Sequence, residues 1–292
     1  MTTRTVSDNG PRLDPVDPVR VRRLREAALR IRHNALTQAE VQGQGYIGQA
    51  LDLADVLAVL YLDQMKLRAA EPEWEERDRC LLSVGHYAIA LYAVLAEAGF
   101  LPLEELDTYA TDESRLPMSG MAGYTPGMEI SGGSLGHGLG IAVGKALGLR
   151  RKDNPAHVYT ILSDGELDEG STWEAVQACV HLELDNVIAV VDMNNQQADG
   201  PAQSVLGTEP VHEKFAVNGW YVRRVDGHDI PALIEALADL KSHRGHPKAL
   251  ICDTVLGKGV PMLETREKLH FMAVAPEEWA LTHRQLDEGF QA

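Results

Sequence analysis

The most constraining feature of this sequence is an alternation of short apolar segments with amphipathic segments between residues 157 and 255. Val187–Val191 is apolar throughout, and His157–Leu162 and Ala249–Val255 are mostly apolar. Strands that are apolar on both faces are typical of a parallel sheet that helices cover on both sides. We therefore predict an α/β fold built on such a sheet, with ligands at the carboxyl ends of its strands.

Apolar periodicity predicts the individual elements of this fold. The glycine-rich segment 114–140 is predicted to be a long functional loop that leads into a helix. Residues 1–19 are predicted to form a flexible tail, and residues 20–292 a single domain. The predicted helices cover residues 21–35, 52–64, 86–98, 135–149, 172–184 and 231–241, and the predicted strands cover residues 79–84, 157–162, 187–191, 221–225 and 249–255.

The net charge and the cysteines limit which partners and which cellular compartment suit this chain. The chain has 27 basic and 43 acidic residues, a net charge of −16, which argues against nucleic acid or an anionic membrane as its main partner. No apolar run is long enough to predict a membrane span. Cys80, Cys179 and Cys252 lie in apolar segments without a CxxC pattern, which is typical of buried thiols in a reducing cytoplasm.

Polar residues follow two successive predicted strands. Asp164 and Gly165 come after the strand at 157–162, and Asn194 comes after the strand at 187–191. One helix separates them, so both side chains are expected in the same crevice. A carboxylate with an amide oxygen suits Mg²⁺ or Ca²⁺ better than zinc and leaves positions for diphosphate oxygens. Asp164-Gly165 alone is more often an ordinary turn, and Asn194 alone is more often part of an ordinary loop. The prediction of a metal site therefore depends on the two occurring together.

The helix between these strands is predicted to begin with a capping box at Ser171–Glu174. Its amino-terminal end would place partial positive charge beside a bound diphosphate. A metal and a helix terminus together explain how an acidic chain could hold an anionic ligand.

Several segments together resemble the transketolase family. Ser163-Asp164-Gly165, followed about thirty residues later by Asn194-Asn195, resembles the thiamine diphosphate fingerprint, with serine in place of its first glycine. The resemblance covers residues 20 to 280. Its other motifs are Leu82–His86, Gly127–Gly138, Asn194–Gly200, and Gly257–Val260 followed by His270.

The resemblance implies a thiamine diphosphate site with a bound Mg²⁺, for which Ca²⁺ or Mn²⁺ could substitute. It assigns the metal to Asp164, Asn194 and the backbone carbonyl of Gln196. It gives His270, His86 and Tyr46 catalytic contacts with the substrate and intermediates. It assigns the cofactor to His86, Gly133, Leu135, Gly165, Glu166, Asn194 and His270.

Two positions depart from the family pattern. Tyr46 stands where many transketolases have a substrate-facing histidine, and Ser119 or a neighbour stands where another histidine contacts the sugar donor. These replacements suggest a donor or acceptor unlike xylulose 5-phosphate. The tyrosine-containing pattern resembles two-chain transketolases that act on modified sugars such as apulose 4-phosphate.

The chain is about half as long as a complete transketolase. The resemblance implies that a C-terminal subunit supplies the pyrimidine-binding domain and a catalytic glutamate in a cytoplasmic α2β2 assembly. The expected reaction is transfer of a two-carbon ketol unit from a ketose phosphate to an aldose. Two alternatives remain open: a non-catalytic thiamine diphosphate-binding subunit, and the α-subunit of a 2-oxo-acid dehydrogenase.

Overall fold

The computed structural model of the chain describes residues 16–266 and 270–291. The strands are β1 (Gln44–Gly45), β2 (Arg79–Leu82), β3 (Val158–Ser163), β4 (Val187–Met193), β5 (Gln196–Gln197), β6 (Gly200–Pro201), β7 (Tyr221–Asp226), β8 (Lys248–Asp253) and β9 (Met272–Ala273). The helices are α1 (Pro18–Gln42), α2 (Ile47–Asp52), α3 (Ala54–Val59), α4 (Ala88–Glu97), α5 (Gly138–Arg151), α6 (Gly170–His181), α7 (Ala202–Val205), α8 (Val211–Val217), α9 (Ile230–Ser242), α10 (Pro261–Glu264) and α11 (Trp279–Gln291).

In the described part of the chain, one parallel sheet has the strand order β2-β3-β4-β8-β7. Successive side chains of its central strand β4 pack alternately into two apolar cores. Ile188 and Val190 pack with residues of α1 to α4 and α9, whereas Ala189 and Val191 pack with residues of α5, α6 and α8. Because both faces of the strand are covered, its continuous apolar sequence is explained, and the predicted fold class is confirmed.

A two-residue antiparallel ribbon joins an early and a late segment of the chain. Gln44 of β1 pairs with Ala273 of β9, and Gly45 pairs with Met272. Tyr46 follows β1 directly, and His270 and Phe271 come just before β9. The ribbon therefore brings together side chains that are far apart in the sequence.

The predicted helix at 52–64 differs most from the structure. Helix α2 begins earlier, at Ile47, α3 follows after Leu53, and a π-helical turn covers Leu60–Gln64. Every residue from Ile47 to Leu60 is buried, so this stretch has no polar face to mark where the helix begins.

Two predictions concern helix starts. The tail predicted for residues 1–19 lies mostly outside the described residues and stays a prediction, but Pro18 already belongs to α1. The capping box predicted at Ser171–Glu174 is wrong. Helix α6 begins at Gly170, and the Ser171 hydroxyl donates a hydrogen bond to the Gly136 carbonyl at 3.0 Å. This serine therefore holds the glycine-rich loop instead of capping its own helix.

The remaining sequence predictions concern the membrane and the thiols. Among the described residues, no helix combines the length and the apolar character that a membrane crossing requires. Cys80, Cys179 and Cys252 are all buried as free thiols. Burial raises the pKa of the Cys80 and Cys179 thiols to about 12.

Candidate active site at the carboxyl end of the sheet

Asp164 and Asn194 lie at the carboxyl ends of adjacent strands, one residue beyond β3 and β4 respectively. The backbone N–H of Asp164 donates to the Asp192 carbonyl at 2.9 Å, which locks the two strand ends together. Asn195 adopts a left-handed backbone conformation with φ of 58°. The chain therefore turns sharply after Asn194 and returns towards Asp164.

The Asp164 side chain is 1% exposed, and its two oxygens differ. One oxygen accepts the Gly165 N–H at 2.7 Å, whereas the other has no hydrogen-bond partner among the described residues. Burial, and then the nearby Asp192 carboxylate, raise the pKa of Asp164 to about 7. A buried oxygen without a donor is costly to the fold unless a cation or a ligand binds to it.

The amide of Asn194 is held in one orientation. Its nitrogen donates to Asp192 Oδ2 at 2.5 Å, to the Tyr87 hydroxyl at 3.2 Å and to Asp52 Oδ2 at 3.4 Å. Its oxygen accepts the Gln196 N–H at 3.0 Å. Because carboxylates occupy the nitrogen side, the amide oxygen is directed away from them and retains a free lone pair.

Asp52 adds a carboxylate that the sequence analysis did not identify. It is fully buried on α2, and its Oδ1 has no hydrogen-bond partner within residues 16–266 and 270–291. Burial raises the pKa of Asp52 well above its usual value, and Asp192 and Asp164 add to the effect. Its sequence signal is a charged residue within a mostly apolar segment.

These donors fit a hard divalent cation. They are carboxylate and amide oxygens, with the nearby backbone carbonyl of Gln196, and such ligands suit Mg²⁺ or Ca²⁺. No cluster of three or more His, Cys, Asp and Glu side chains in the described ranges could hold a metal by itself. A cation here would therefore need the amide, the backbone carbonyl and oxygens of a bound ligand to complete its coordination.

Tyr46, His86 and His270 form one aromatic cluster. The Tyr46 ring lies 4.7 Å from the His86 ring and 5.5 Å from the His270 ring, measured between centroids. Phe271 packs against the other edge of Tyr46 at 5.0 Å. The three side chains that were predicted to be catalytic therefore share one surface.

His86 is neutral at physiological pH. Burial, with a smaller contribution from His270, lowers the pKa of its imidazole to about 4. The Nε2 atom is buried and has no hydrogen-bond partner in the part of the chain that the structure covers. His86 can therefore accept or donate one hydrogen bond to a ligand without first releasing a proton.

The glycine-rich loop is fastened to the sheet by Glu166 and Ser83. Glu166 is fully buried, and its Oε1 accepts the Gly136 N–H at 2.8 Å and the Ser83 hydroxyl. Ser83 in turn accepts the Gly138 N–H at 2.9 Å. Glu166 therefore anchors the loop that carries Leu135. Both residues were predicted to bind the cofactor.

Close backbone contact explains the glycines at this point. A Cβ added to Gly85 would lie 2.4 Å from the carbonyl carbon of Gly132, and one added to Gly132 would lie 2.1 Å from the Leu82 carbonyl oxygen. Gly133 has φ of 121° and lies beside Ser119, whose hydroxyl would be 3.2 Å from an added Cβ. Ser119 thus borders the loop next to Gly133.

Comparison with known proteins identifies this arrangement. The family model described as "Transketolase, thiamine diphosphate binding domain" matches residues 24–291. The chain is 59% identical over 270 residues to a putative uncharacterized transketolase family protein, y4mO, of Sinorhizobium fredii, covering 92% of this chain and 97% of the relative.

Two further relatives are named as subunits of transketolases. The chain is 37% identical over 258 residues to the 6-deoxy-6-sulfo-D-fructose transketolase subunit SqwG of Clostridium sp., covering 88% and 94% of the two chains. It is 33% identical over 244 residues to one subunit of the apulose-4-phosphate transketolase of Actinobacillus succinogenes, covering 84% and 88%.

A solved structure agrees with this assignment. Transketolase from Leishmania mexicana superimposes with a TM-score of 0.84 at 31% identity, over 92% of this chain but only 41% of that enzyme. Because the family model matches nearly the whole chain, this protein belongs to the transketolase family, and residues 24–291 match its thiamine diphosphate-binding domain.

Proposed function

We propose that the chain is one subunit of a two-chain transketolase that transfers a two-carbon ketol unit from a ketose phosphate to an aldose. The observation that carries the proposal is the set of buried, incompletely bonded oxygens at the ends of β3 and β4. A cation and a ligand would complete the bonding of these oxygens, and in this family the ligand is thiamine diphosphate. The match to subunit-sized relatives along nearly their whole length supports a two-chain enzyme.

Asp164, the amide oxygen of Asn194 and the Gln196 carbonyl would hold Mg²⁺. Gly165, with no side chain, allows close approach of diphosphate oxygens, while Glu166 fixes the loop that carries Gly133 and Leu135. The overall charge of the chain does not explain the binding of an anion, because that charge is −16. The metal and backbone N–H groups provide the attraction for a diphosphate.

Thiamine diphosphate, when bound, supplies the carbon centre that accepts and releases the two-carbon unit. The side chains of this subunit position the sugar around that centre. His86 and His270 offer neutral imidazoles, because burial lowers the pKa of both. The hydroxyl of Tyr46 contributes a hydrogen bond from the same aromatic cluster.

We further propose that the donor is a modified ketose and that a partner chain supplies the pyrimidine-binding domain and a catalytic glutamate in an α2β2 assembly. Tyr46 and Ser119 replace two histidines of the common pattern, which favours a sugar unlike xylulose 5-phosphate. Relatives named for 6-deoxy-6-sulfo-D-fructose and apulose 4-phosphate support modified sugars as candidates.

The test is to co-express this chain with the chain that is encoded beside its gene. The purified pair is assayed with thiamine diphosphate, Mg²⁺, aldose acceptors and a donor panel of xylulose 5-phosphate, apulose 4-phosphate and 6-deoxy-6-sulfo-D-fructose. We expect turnover by the pair and by neither chain alone. Asp164→Ala should abolish turnover, whereas the exposed Asp112→Asn should leave it unchanged.

Other outcomes would favour the other candidates. Cofactor binding by the pair without turnover of any donor would support a non-catalytic binding subunit. Release of CO₂ from a 2-oxo acid would support a dehydrogenase subunit. Equal turnover with Asp164→Ala would contradict the proposed metal site.

A further inference from the structure

Gln49, a residue of α2 that the motifs do not include, contacts His270 at two points. Its side-chain nitrogen lies 3.2 Å from Nδ1 of the His270 ring and 2.9 Å from the His270 backbone carbonyl oxygen. Gln49 is fully buried, so water does not compete for these contacts. One amide group therefore holds both the ring and the backbone of a predicted catalytic histidine.

The backbone contact fixes which end of the Gln49 amide faces His270. A carbonyl oxygen only accepts hydrogen bonds, so the atom beside it must be the amide nitrogen and not the amide oxygen. The nitrogen has two hydrogens, and the second is directed to Nδ1. In a neutral imidazole, an Nδ1 that accepts a hydrogen bond leaves the proton on Nε2.

We propose that Gln49 is a positioning residue that fixes His270 as the Nε2–H tautomer, so that His270 acts towards ligand oxygens as a hydrogen-bond donor. The tautomer follows from contacts within this chain alone. Its effect on turnover rests on the proposed transketolase function. An Nε2–H donor suits carbonyl and hydroxyl oxygens of a sugar, whereas the other tautomer would present a lone pair to them.

The tautomer is measured by NMR on the isolated full-length chain with ¹⁵N-labelled histidine at pH 8. His270→Gln identifies the His270 signals. We expect the wild-type ring to have a protonated Nε2 and an unprotonated Nδ1. Gln49→Glu should reverse the tautomer, because a carboxylate accepts the Nδ1 proton, and Gln49→Met should give a mixture.

The control is Gln203→Glu, which places the same charge change at an exposed position. It should leave the His270 signals unchanged. Each variant is first checked for cooperative unfolding in urea. A wild-type His270 protonated on Nδ1, or the same tautomer in wild type, Gln49→Glu and Gln49→Met, would overturn the proposal.

The effect on turnover is measured in the reconstituted pair with a double-mutant cycle. Gln49→Met should lower kcat/KM about tenfold, and Gln49→Met/His270→Gln should be no slower than His270→Gln alone, because Gln49 acts through His270. If the loss of kcat/KM in the double variant equals the product of the two single losses, the positioning role is overturned. The NMR arm needs neither a partner nor turnover, so failure of the proposed function would leave the tautomer result standing.

Discussion

The buried carboxylate of Glu166 accepts the backbone N–H of Gly136 at 2.8 Å, joining the turn after β3 to the glycine-rich loop. The same oxygen accepts the Ser83 hydroxyl, so the end of β2 is tied to the same point. Three segments of the chain thus meet at one carboxylate beside the candidate cofactor site. Its other oxygen is buried and lacks a partner in the described residues.

Ser83→Ala should weaken this junction. The substitution leaves the Gly138 N–H without its acceptor and removes one donor from Glu166, so the free energy of unfolding should fall by about 2 kcal/mol. Urea titration of the isolated chain measures the change. Ser242→Ala, at an exposed hydroxyl, should change the stability by less than about 0.5 kcal/mol. Equal effects of the two substitutions would contradict the role of Ser83.

Gly132→Ala and Gly144→Ala should change the free energy of unfolding in opposite directions. A methyl group on Gly132 would collide with the Leu82 carbonyl, so we expect a loss of about 1–3 kcal/mol. Gly144 lies inside α5, and an added Cβ there meets no atom of the described residues within 4 Å. Alanine favours the helix, so Gly144→Ala should gain about 0.5–1 kcal/mol. Urea unfolding of both variants tests the contrast, and a stabilising Gly132→Ala would refute it.

The buried His86 should make the chain sensitive to acid. Its pKa is about 4 in the fold and about 6.5 in the unfolded chain, so the unfolded chain binds more protons between these values. Its contribution is complete above pH 6.5 and is lost as the pH falls towards 4. When the pH is lowered from 7 to 4.5, the free energy of unfolding should fall by about 2 kcal/mol less in His86→Gln than in wild type.

The matched control for this pH effect is His181→Gln, at an exposed histidine. That variant should lose stability on acidification by the same amount as wild type. Urea unfolding at the two pH values provides the comparison. If His86→Gln and His181→Gln lose the same free energy, His86 does not contribute to the acid sensitivity.

Tyr46 should determine which donor is used by the reconstituted pair. Tyr46→Phe keeps the ring contacts with His86 and His270 and removes only the hydroxyl, so kcat/KM should fall roughly tenfold. Tyr46→His should increase the kcat/KM for xylulose 5-phosphate relative to the preferred donor. The donor panel measures both effects, and Tyr124→Phe, at an exposed ring, serves as control. An unchanged preference with Tyr46→His would remove Tyr46 as a specificity residue.

The three thiols should be inert in the folded chain. Cys80, Cys179 and Cys252 are buried, and burial raises the pKa of each, so almost no thiolate exists at pH 8. A disulfide reagent that reports thiols by absorbance should detect none in the native chain and all three in denaturant. Rapid reaction of one native thiol would show that its surroundings open easily.

Most of the sheet could be predicted from the sequence because β3, β4 and β8 are buried along almost their whole length and are mostly apolar. The strand ends followed, and with them the positions of Asp164 and Asn194. The start of α2 could not be predicted, since Ile47–Leu60 is buried on all sides and lacks a helical pattern of polar residues. The role of Ser171 was missed because its partner, Gly136, belongs to a loop whose path local sequence does not determine.

Only those residues of the site that belong to a recognised sequence motif could be predicted. Gln49 and Asp52 were missed because their partners, His270 and Asn194, lie far away in the chain. Contacts of this kind depend on how α2 packs against the strand ends. A polar residue within an apolar helix is the one local signal, and it identifies the residue without identifying its partner.

The β1–β9 ribbon has a consequence for how the protein matures during synthesis. Tyr46 emerges from the ribosome early, whereas Met272 and Ala273, which pair with the residues just before it, are made only after every strand of the parallel sheet. The aromatic side of the candidate site therefore cannot assemble on a growing chain, even if the strand ends that carry Asp164 and Asn194 have already folded. A nascent chain would lack this part of the candidate site until translation has passed β9.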